Sequence, residues 1–444
     1  QELDDSESSL GIAKGNEMAE HPRIVVVGAG FGGLQAAQSL AGAAADVLLI
    51  DRNSYHTFVP LLYQVATAQL APEQIMYPVR TILRRSPNLQ FLRATVRRVD
   101  LVAQFVETES AVIPYDYLVL ATGSETRFAG VPGAKEYGFA LGSVDEAVAL
   151  RNHILMQLEQ AAHEVDRARR QALLSIAIVG GGPTGVELAG ACVEMIHSRM
   201  QQDYPTLDLR ELRLWLVQAG DRLLADLPQP LGVYTAKRLR QLGVNVLLQT
   251  RVHRVTPTGL NLDSGAIAAG TVIWTAGLEA TAPYPSQTVD TARQGKWVVG
   301  PTLQVQGYPN VYAIGDMAYV EQQGQPLVGV APEALQQGVA VARNLRSQLR
   351  GQAPKPFRYF NKGRLAIIGC RSGVGKIGAI TLTGWLAWLL WLGVHFVYLP
   401  GYRNRLLVLV NWLYSYVFRD RPIRLIQTPR VKPDRVQESV QSLS

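Results

Sequence analysis

The chain contains very little cysteine and no clustered histidine. Its 444 residues include two cysteines, Cys192 and Cys370. That number excludes a disulfide framework and any metal site with four thiolate ligands. The seven histidines are scattered, and none lies four residues from another, as the helical zinc motif requires. No metal site is therefore predicted.

The N-terminus lacks the features of a secretory signal. Residues 1–21 are acidic and rich in serine, with no basic start and no apolar core. They also show no hydrophobic periodicity, which predicts a disordered tail. In the whole chain, hydrophobic residues make up 48% and charged residues 18%, so a globular fold with substantial apolar surface is expected.

The net positive charge of the chain comes from its last fifth. Residues 355–444 contain 14 Lys and Arg against 3 Asp and Glu, a net charge of +11, whereas residues 1–354 carry a net charge of −4. A basic region beside an apolar segment favours contact with an anionic membrane surface. A random excess of solvated arginines is the alternative. No nucleic acid partner is expected, because no recognition motif accompanies the charge.

A glycine-rich turn near the N-terminus predicts a dinucleotide site. An apolar strand over residues 23–27 runs into Gly28, Gly30 and Gly33 and then into an alanine-rich helix. Gly28 permits the tight turn, Gly30 lets the backbone approach a pyrophosphate, and Gly33 allows close packing of helix on strand. A second strand ends at Asp51-Arg52, where an acid binds a ribose hydroxyl in this motif.

The same pattern occurs again in the middle of the chain. A second apolar strand runs into Gly180, Gly182 and Gly185 and then into a helix. The strand that follows ends at Gln218, with Arg222 four residues on. Each turn has its own strand and helix, so two dinucleotide sites are predicted. The glycines alone do not distinguish a flavin from a nicotinamide.

Small residues follow three further apolar strands, at points where backbone can pass close to a cofactor. The fold class expected is α/β, with two Rossmann-like dinucleotide-binding domains in a glutathione-reductase-like architecture and a C-terminal membrane-associated helical segment. The expected divisions are a tail at 1–21, a first domain at 22–140 and 281–354, a second at 141–280, and a membrane-association region at 355–444. The small-residue exits are Ala121-Thr122-Gly123, Ala276-Gly277 and Gly315-Asp316.

The C-terminal region contains the longest uncharged run. Ile380–Leu399 is free of charge, with one histidine, and its length would allow a membrane span. Aromatic residues recur in it at helical spacing, however, and indole prefers the membrane–water interface. With a second apolar helix at 405–418, flanked by arginines, it resembles a helical hairpin lying in one leaflet. A buried core or a dimer face is the alternative. The aromatic residues are Trp385, Trp388, Trp391 and Tyr398.

Taken together, these motifs resemble the type II NAD(P)H:quinone oxidoreductases over about residues 23–426. The finer resemblance, carried by residues 58–67 and 384–388, is to the demethylphylloquinone reductases of photosynthetic organisms. The resemblance implies FAD in the first unit, with Asp316 on its ribityl or phosphate portion, and NADPH or NADH in the second. It implies hydride transfer to FAD and two-electron reduction of a membrane quinone without proton pumping. A prenylnaphthoquinone such as demethylphylloquinone, or plastoquinone, is the expected acceptor. A peripheral location facing the cytoplasm or a stroma-like side, and a homodimer, are further expectations.

The sequence departs from the family's quinone-site signature, A-Q-x-A-x-Q. Here the segment reads Ala331-Pro332-Glu333-Ala334-Leu335-Gln336, so the last glutamine is retained and the first is a proline. Pro332, Glu333 and Gln336 are the candidate quinone residues. In some members a lysine of the first C-terminal helix approaches the acid that corresponds to Glu187. Trp391 takes that place here, so a Lys–Glu contact is not expected.

Glu187 and Gln218 carry the two mechanistic hypotheses. A quinone needs protons, and Glu187, in the helix after Gly185, is the candidate acid; an acid complementing the helix dipole is the alternative. Gln218 removes the carboxylate that would repel a 2′-phosphate, and Arg222 is placed to attract one, so NADPH should be accepted. Two other functions stay open: a sulfide:quinone reductase, which needs reactive cysteines, and a non-enzymatic membrane-bound NAD sensor.

Overall fold

The computed structural model describes residues 21–208 and 211–427. The predicted tail at 1–21 lies outside the described residues except for its last residue, and so do residues 428–444 of the C-terminal region.

The first part of the chain forms short strands around one parallel sheet. Its elements are β1 (Arg23–Val27), α1 (Phe31–Ser39), β2 (Asp46–Asp51), β3 (Tyr55–Thr57), α2 (Leu62–Ala66), β4 (Met76–Pro78), α3 (Val79–Leu83), β5 (Leu89–Arg93), β6 (Val96–Asp100), β7 (Phe105–Thr108), β8 (Val112–Pro114), β9 (Tyr117–Leu120), β10 (Ser124–Thr126) and α4 (Ala134–Tyr137).

The middle part forms the second dinucleotide unit. Its elements are α5 (Val144–His163), α6 (Arg167–Leu173), β11 (Ser175–Val179), α7 (Pro183–Ile196), α8 (Met200–Asp203), β12 (Arg213–Val217), α9 (Gln229–Gln241), β13 (Val244–Leu247), β14 (Val252–Thr256), β15 (Gly259–Leu262), β16 (Gly265–Ala268), β17 (Thr271–Trp274) and β18 (Leu278–Ala280).

The chain then returns to the first sheet and ends in a separate small sheet with two helices. The returning elements are β19 (Tyr284–Pro285), β20 (Trp297–Val298), β21 (Gln304–Val305), β22 (Tyr308–Ala313), β23 (Ala318–Tyr319), β24 (Glu321–Gln322), β25 (Gln325–Pro326) and α10 (Ala331–Gln348). The C-terminal elements are β26 (Arg364–Gly369), β27 (Ser372–Ile377), β28 (Ile380–Thr383), α11 (Gly384–Tyr398) and α12 (Tyr402–Phe418).

Two parallel sheets confirm the α/β class with two Rossmann-like units. The first sheet has the order β21-β22-β9-β1-β2-β5, and the second has the order β13-β12-β11-β17. Strand β1 lies inside the first sheet and is apolar after Arg23, with Ile24, Val25 and Val26 fully buried, as expected for a strand covered on both faces. Strand β22 pairs in parallel with β9, so the segment after the second unit completes the first sheet. Between the units, β10 and β18 form an antiparallel ribbon.

The first C-terminal helix is shorter than the uncharged run predicts, and the second is longer than expected. The expectation of one helix over Ile380–Leu399 is wrong at its start, because Ile380–Thr383 pair with β27 as strand β28. Gly384, at φ +71°, then begins α11, which has 15 residues. Helix α12 begins at Tyr402, three residues before the expected start. Within the described ranges, no helix is both long and apolar enough to cross a membrane.

Candidate active site

The first glycine-rich turn leaves open space where a phosphate would lie. The Gly28 N–H donates to the Ile50 carbonyl at 2.7 Å, which fixes the turn at the carboxyl end of the sheet. A Cβ on Gly28, at φ +104°, would meet the Ala121 oxygen at 2.2 Å, and one on Gly33 would meet the Gly28 oxygen at 1.9 Å. A Cβ on Gly30 would meet nothing within 4 Å. This cradle fits a pyrophosphate above the N-terminus of α1.

Asp51 closes this turn from the end of β2. Its Oδ2 accepts the Ala29 N–H at 2.6 Å and its Oδ1 accepts the Asn53 N–H at 2.7 Å. These bonds hold the carboxylate beside the open space, and its remaining lone pairs are available to ribose hydroxyls. Arg52 is exposed next to it.

The structure brings two of the predicted small-residue exits together. Ala121-Thr122-Gly123 follow β9, Gly315-Asp316 follow β22, and these strands are neighbours in the first sheet. Ser124 Oγ donates to Asp316 Oδ2 at 2.7 Å. The Gly315 N–H donates to Gln337 Oε1 of α10 at 2.6 Å. Asp316 therefore lies at the same sheet edge as the first glycine turn, where a cofactor bound by that turn would extend.

The second turn repeats this geometry. The Gly180 N–H donates to the Val217 carbonyl at 2.9 Å. A Cβ on Gly185 would meet the Gly180 oxygen at 1.9 Å, whereas one on Gly182 would meet nothing within 4 Å. At the exit of β17, the Gly277 carbonyl accepts the Arg127 N–H at 3.2 Å, and Ala276 precedes it. A second phosphate cradle is thus present.

Gln218 occupies the position in the second unit that Asp51 occupies in the first. Its Oε1 accepts the Gly181 N–H at 2.8 Å, as Asp51 accepts the Ala29 N–H. Arg222 donates from Nη2 to the Ala225 carbonyl at 3.0 Å, so its guanidinium is engaged in the following loop. The second crevice therefore has a neutral amide at the ribose position.

Glu187 is a buried acid on helix α7. It is 9% exposed. Its Oε1 accepts the indole Nε1–H of Trp391 at 3.0 Å and the Ile367 N–H at 3.3 Å. Burial raises its pKa to about 8, although the two hydrogen bonds oppose the shift. Trp391 lies against Glu187, at the place where the family comparison predicted it.

Sequence reasoning missed an aromatic series that leads to this acid. Phe31, inside the first glycine motif, contacts Phe58 at 5.8 Å between centroids, and Phe58 contacts His395 at 6.1 Å. His395 stacks on Trp391 at 3.8 Å. Burial lowers the pKa of His395 to about 4, so the ring is neutral at physiological pH. The spacing of the aromatic residues in 380–399 was the available signal for this series, but the same spacing is equally typical of a helix at a membrane interface.

A groove of about 1020 Å³ opens between helices α1 and α10 and the turn that joins α11 to α12. Pro332 and Gln336 line it, with Phe31 and His56 from the first unit and Tyr398 from α11. Lining side chains include three cations, Arg343, Arg358 and Lys362. This groove has the size of a site for a drug-sized apolar molecule.

The predicted quinone residues differ in their placement. Glu333 is 2% exposed, and its Oε2 accepts the Gly329 N–H at 2.8 Å, so it caps α10. The Gln336 amide bonds on both sides to the backbone of Phe360, accepting its N–H and donating to its carbonyl, each at 2.9 Å. These bonds orient the amide and leave its second N–H and the second lone pair of Oε1 for a further partner. Pro332 lines the groove without a polar group.

Comparison with known proteins decides the family. Residues 22–338 match the pyridine nucleotide-disulphide oxidoreductase family. The type II NADH:quinone oxidoreductase Ndh of Mycobacterium tuberculosis is 37% identical over 411 residues, which are 89% of this chain and 88% of that protein. The corresponding enzyme of Staphylococcus haemolyticus is 28% identical, with 82% and 92% covered. The chain belongs to the type II NADH:quinone oxidoreductases.

Membership makes the chain a flavoprotein oxidoreductase, and solved structures agree on the fold. NDH2 from Plasmodium falciparum in complex with NADH superposes with a TM-score of 0.83 at 20% identity, covering 90% of this chain and 99% of that one. The sulfide:quinone oxidoreductase of Aquifex aeolicus gives a TM-score of 0.68 at 16% identity, covering 95% of each.

The cysteines are placed poorly for sulfide chemistry. Cys192 is fully buried in α7, and burial raises its pKa to about 12, which disfavours the thiolate. Cys370 follows β26 and is partly buried, with a raised pKa of the same cause. Among the residues that the structure describes, no group of His, Cys, Asp or Glu could hold a metal ion.

Proposed function

We propose that this chain oxidises NADPH or NADH and reduces a membrane quinone, with FAD bound non-covalently in the first crevice. The observation that carries the proposal is the presence of two open glycine turns together with a buried acid, Glu187, on the helix that follows the second turn. Two turns support two dinucleotides, and the acid supports a proton-requiring acceptor. Membership of the type II NADH:quinone oxidoreductases supports the same reaction.

The residues around the first glycine turn suit FAD. The turn of Gly28, Gly30 and Gly33 would hold the pyrophosphate, Asp51 a ribose, and Asp316 the ribityl or phosphate portion. When bound, FAD supplies the two-electron chemistry that links a nicotinamide to a quinone. The chain's own residues position the cofactor and exclude water, as the buried ring series from Phe31 to Trp391 would on one side.

The second crevice should accept NADPH as well as NADH. A carboxylate at position 218 would repel a 2′-phosphate, and like charges a few ångströms apart cost roughly 1–4 kcal/mol at surface-like dielectric. Gln218 carries no charge, so this barrier is missing. Arg222 would have to release the Ala225 carbonyl to bind the phosphate. Acceptance of NADPH then depends more on the missing repulsion at Gln218 than on attraction of the 2′-phosphate by Arg222.

The quinone would enter through the groove beside Pro332 and Gln336 and take a proton from Glu187. A prenylnaphthoquinone such as demethylphylloquinone is the proposed acceptor, with plastoquinone as the second choice. The support is the finer resemblance over residues 58–67 and 384–388, which is less specific than the motifs that define the family. The apolar part of the groove lining and the opening of the groove beside helices α11 and α12 suit a long-tailed quinone.

The groove opens beside an apolar surface that we propose docks on an anionic membrane. Arg403 and Lys362 lie near this surface, and the net charge of residues 355–444 is +11. The face turned toward the cytoplasm or a stroma-like compartment, and assembly as a homodimer, remain expectations from the resemblance. The exposed apolar side chains are Trp385, Leu386, Leu389, Val397, Leu406, Leu409, Val410, Leu413 and Val417.

Point substitutions test this docking better than truncation. Trp391 and Trp412 are buried against the rest of the protein, so deleting residues 380–444 would expose the core as well. Leu406→Asp with Leu413→Asp places two charges on the exposed face only. Co-sedimentation with anionic vesicles should fall at least tenfold, with flavin content unchanged. Unaltered sedimentation would contradict the docking proposal.

The experiment that tests the proposed reaction is steady-state kinetics with NADH and NADPH against a panel of quinones. Activity with both nucleotides, and higher kcat/KM for a prenylnaphthoquinone than for a benzoquinone of equal tail length, is expected. A hundredfold preference for NADH would contradict the proposed nucleotide choice. Reduction of quinones by sulfide but by neither nucleotide would establish the alternative enzyme class.

A further inference from the structure

Glu187 is held through one of its two carboxyl oxygens. Both donors, the Trp391 indole and the Ile367 N–H, bond to Oε1. Among the described residues, Oε2 has no hydrogen-bond partner. In a neutral carboxylic acid, the carbonyl oxygen accepts and the other oxygen carries the proton. The arrangement therefore fits an acid with its proton on Oε2.

The surroundings of Glu187 contain no cation that would favour its ionised form. Strand β26 contributes only a backbone N–H to it. Two nearby arginines are paired with other acids: Arg364 of β26 with Asp226 at 2.9 Å, and Arg421 with Glu194 at 2.6 Å, Glu194 lying two turns further along α7. Burial is the largest cause of the raised pKa of Glu187, and no charge contributes to it. Ionisable side chains on the elements around it include Tyr63 on α2, Cys192 and the paired Glu194 on α7, the paired Arg364 on β26, His395 on α11 and Tyr416 on α12.

Trp391 is itself locked in one orientation. It is 1% exposed, and His395 stacks on it with the ring planes 21° apart. His395 Nδ1 lies 2.7 Å from the Trp391 carbonyl, which can only accept, so Nδ1 carries the hydrogen. The rings of Tyr63 and Trp412 lie 6.2 Å and 6.1 Å from the indole. An indole packed against three rings keeps its N–H in one direction, and the bond from this N–H holds Oε1 of Glu187 in place.

We propose that Trp391 is a positioning residue for proton delivery, because its indole pins Oε1 of Glu187 and leaves Oε2–H free to act. The inference rests on the proposed function. The overall reaction consumes NAD(P)H, one proton and a quinone, and yields NAD(P)⁺ and a quinol. Glu187 passes the Oε2 proton to a quinone oxygen, becomes a carboxylate, and recovers a proton from water.

The test compares Trp391→Phe with a matched control on the same helix. Trp391→Phe keeps an aromatic ring and removes the N–H. Trp388→Phe is the control, because its indole nitrogen is buried without a hydrogen-bond partner among the described residues. Infrared difference spectra against Glu187→Gln isolate the carboxyl band of Glu187 in the flavin-loaded protein, without nucleotide or quinone. Trp391→Phe should shift that C=O band to higher frequency and raise the titration midpoint by about half a unit to one unit.

Kinetics give the second readout. In Trp391→Phe, kcat for quinone reduction should fall about tenfold, a part of what a general acid contributes, with KM for the quinone unchanged. Trp388→Phe should match the wild type in both readouts. A wild-type band and pH profile in Trp391→Phe would overturn the proposal.

If Trp391→Phe fails to fold, the infrared spectrum of the wild type provides the test by itself. A protonated Glu187 band at pH 7 supports the proposal, and a carboxylate band overturns it. Because the infrared titration needs no turnover, its failure is distinguishable from failure of the proposed reaction.

Discussion

The two glycine-rich units are built alike but place their acid and amide at opposite positions. In each, the first glycine donates to the end of the next strand and the last glycine packs on the first. The first unit has an acid at the strand end, Asp51, and an amide two residues after the last glycine, Gln35. The second unit has an amide at the strand end, Gln218, and an acid in the helix, Glu187.

The opposite placement of the acid and the amide follows from the element that packs on the helix of each unit. Helix α1 packs on α10, so closely that a Cβ on Gly338 would meet the Gly32 oxygen at 2.4 Å. Helix α7 packs on strand β26, where a Cβ on Gly190 would meet the Ile368 oxygen at 2.2 Å. The C-terminal sheet thus buries the face of α7 that carries the acid. Under the proposed function, the same strand–turn–helix unit would hold a cofactor in the first case, and in the second it would also carry the acid that gives a proton to the quinone.

The largest expected effects come from substitutions that block one glycine turn each and so distinguish the flavin site from the nicotinamide site. Gly30→Val and Gly182→Val place a side chain in space that is open in both turns, at backbone angles that valine adopts. Both proteins should fold. Gly30→Val should purify colourless, because its side chain blocks the pyrophosphate. Gly182→Val should purify yellow and lose reduction by either nucleotide. A yellow Gly30→Val with full flavin occupancy would contradict the assignment of the first turn.

A second expected effect concerns the acid alone. Glu187→Gln keeps the size and the hydrogen bonds of the side chain but removes the proton. Quinone reduction should fall by about 100-fold, the lower end of what general acid catalysis contributes. Bleaching of the flavin absorbance by NADH, measured by stopped flow, should be unchanged and serves as the internal control. Equal loss in both half-reactions would indicate a structural role for Glu187.

A smaller effect is expected at the strand end of the second unit. Gln218→Glu restores a charge at the ribose position. The ratio of kcat/KM for NADPH to that for NADH should fall about tenfold, within the range of like-charge repulsion at this distance. Gln218→Asn, which keeps the amide, is the control. If the wild type is already a hundredfold selective for NADH and Gln218→Glu leaves the ratio unchanged, position 218 does not set nucleotide choice.

A further effect is on stability and its dependence on pH. The folded-state pKa of Glu187, about 8, is raised above the ordinary glutamate value of 4.5 by burial. The folded protein then holds a proton that the unfolded chain has lost, so stability from this group is present below pH 4.5 and declines as pH rises toward 8. The limit is about 1.4 kcal/mol for each pH unit in that window. The difference in Tm between wild type and Glu187→Gln should decrease from pH 5 to pH 8, and a constant difference would contradict a buried neutral acid.

Sequence predicts the glycine units well because their chemistry is local. Steric limits at Gly28, Gly33, Gly180 and Gly185 act within one strand–turn–helix unit, so spacing alone locates both turns. The return of the chain to the first sheet through β22 was also expected. The strand β28 was missed, since Ile380–Thr383 are apolar and continuous with the helix that follows. Only their pairing with β27 separates the two.

The environment of Glu187 is not local. Its partners, Ile367 and Trp391, lie 180 and 204 residues away along the chain. The resemblance placed Trp391 near Glu187. Neither periodicity nor composition, however, predicts which of the two carboxyl oxygens accepts each hydrogen bond. The capping role of Glu333 and the bonds of Gln336 to Phe360 were likewise hidden, because both depend on the fold of residues 329–330 and 360.

Anaerobic absorbance spectroscopy of the purified protein tests the central claim most directly. The account predicts a yellow protein whose flavin absorbance bleaches on addition of one equivalent of NADH or NADPH and returns on addition of a prenylnaphthoquinone. A flavin that neither nucleotide bleaches, or one that the quinone leaves bleached, would contradict it.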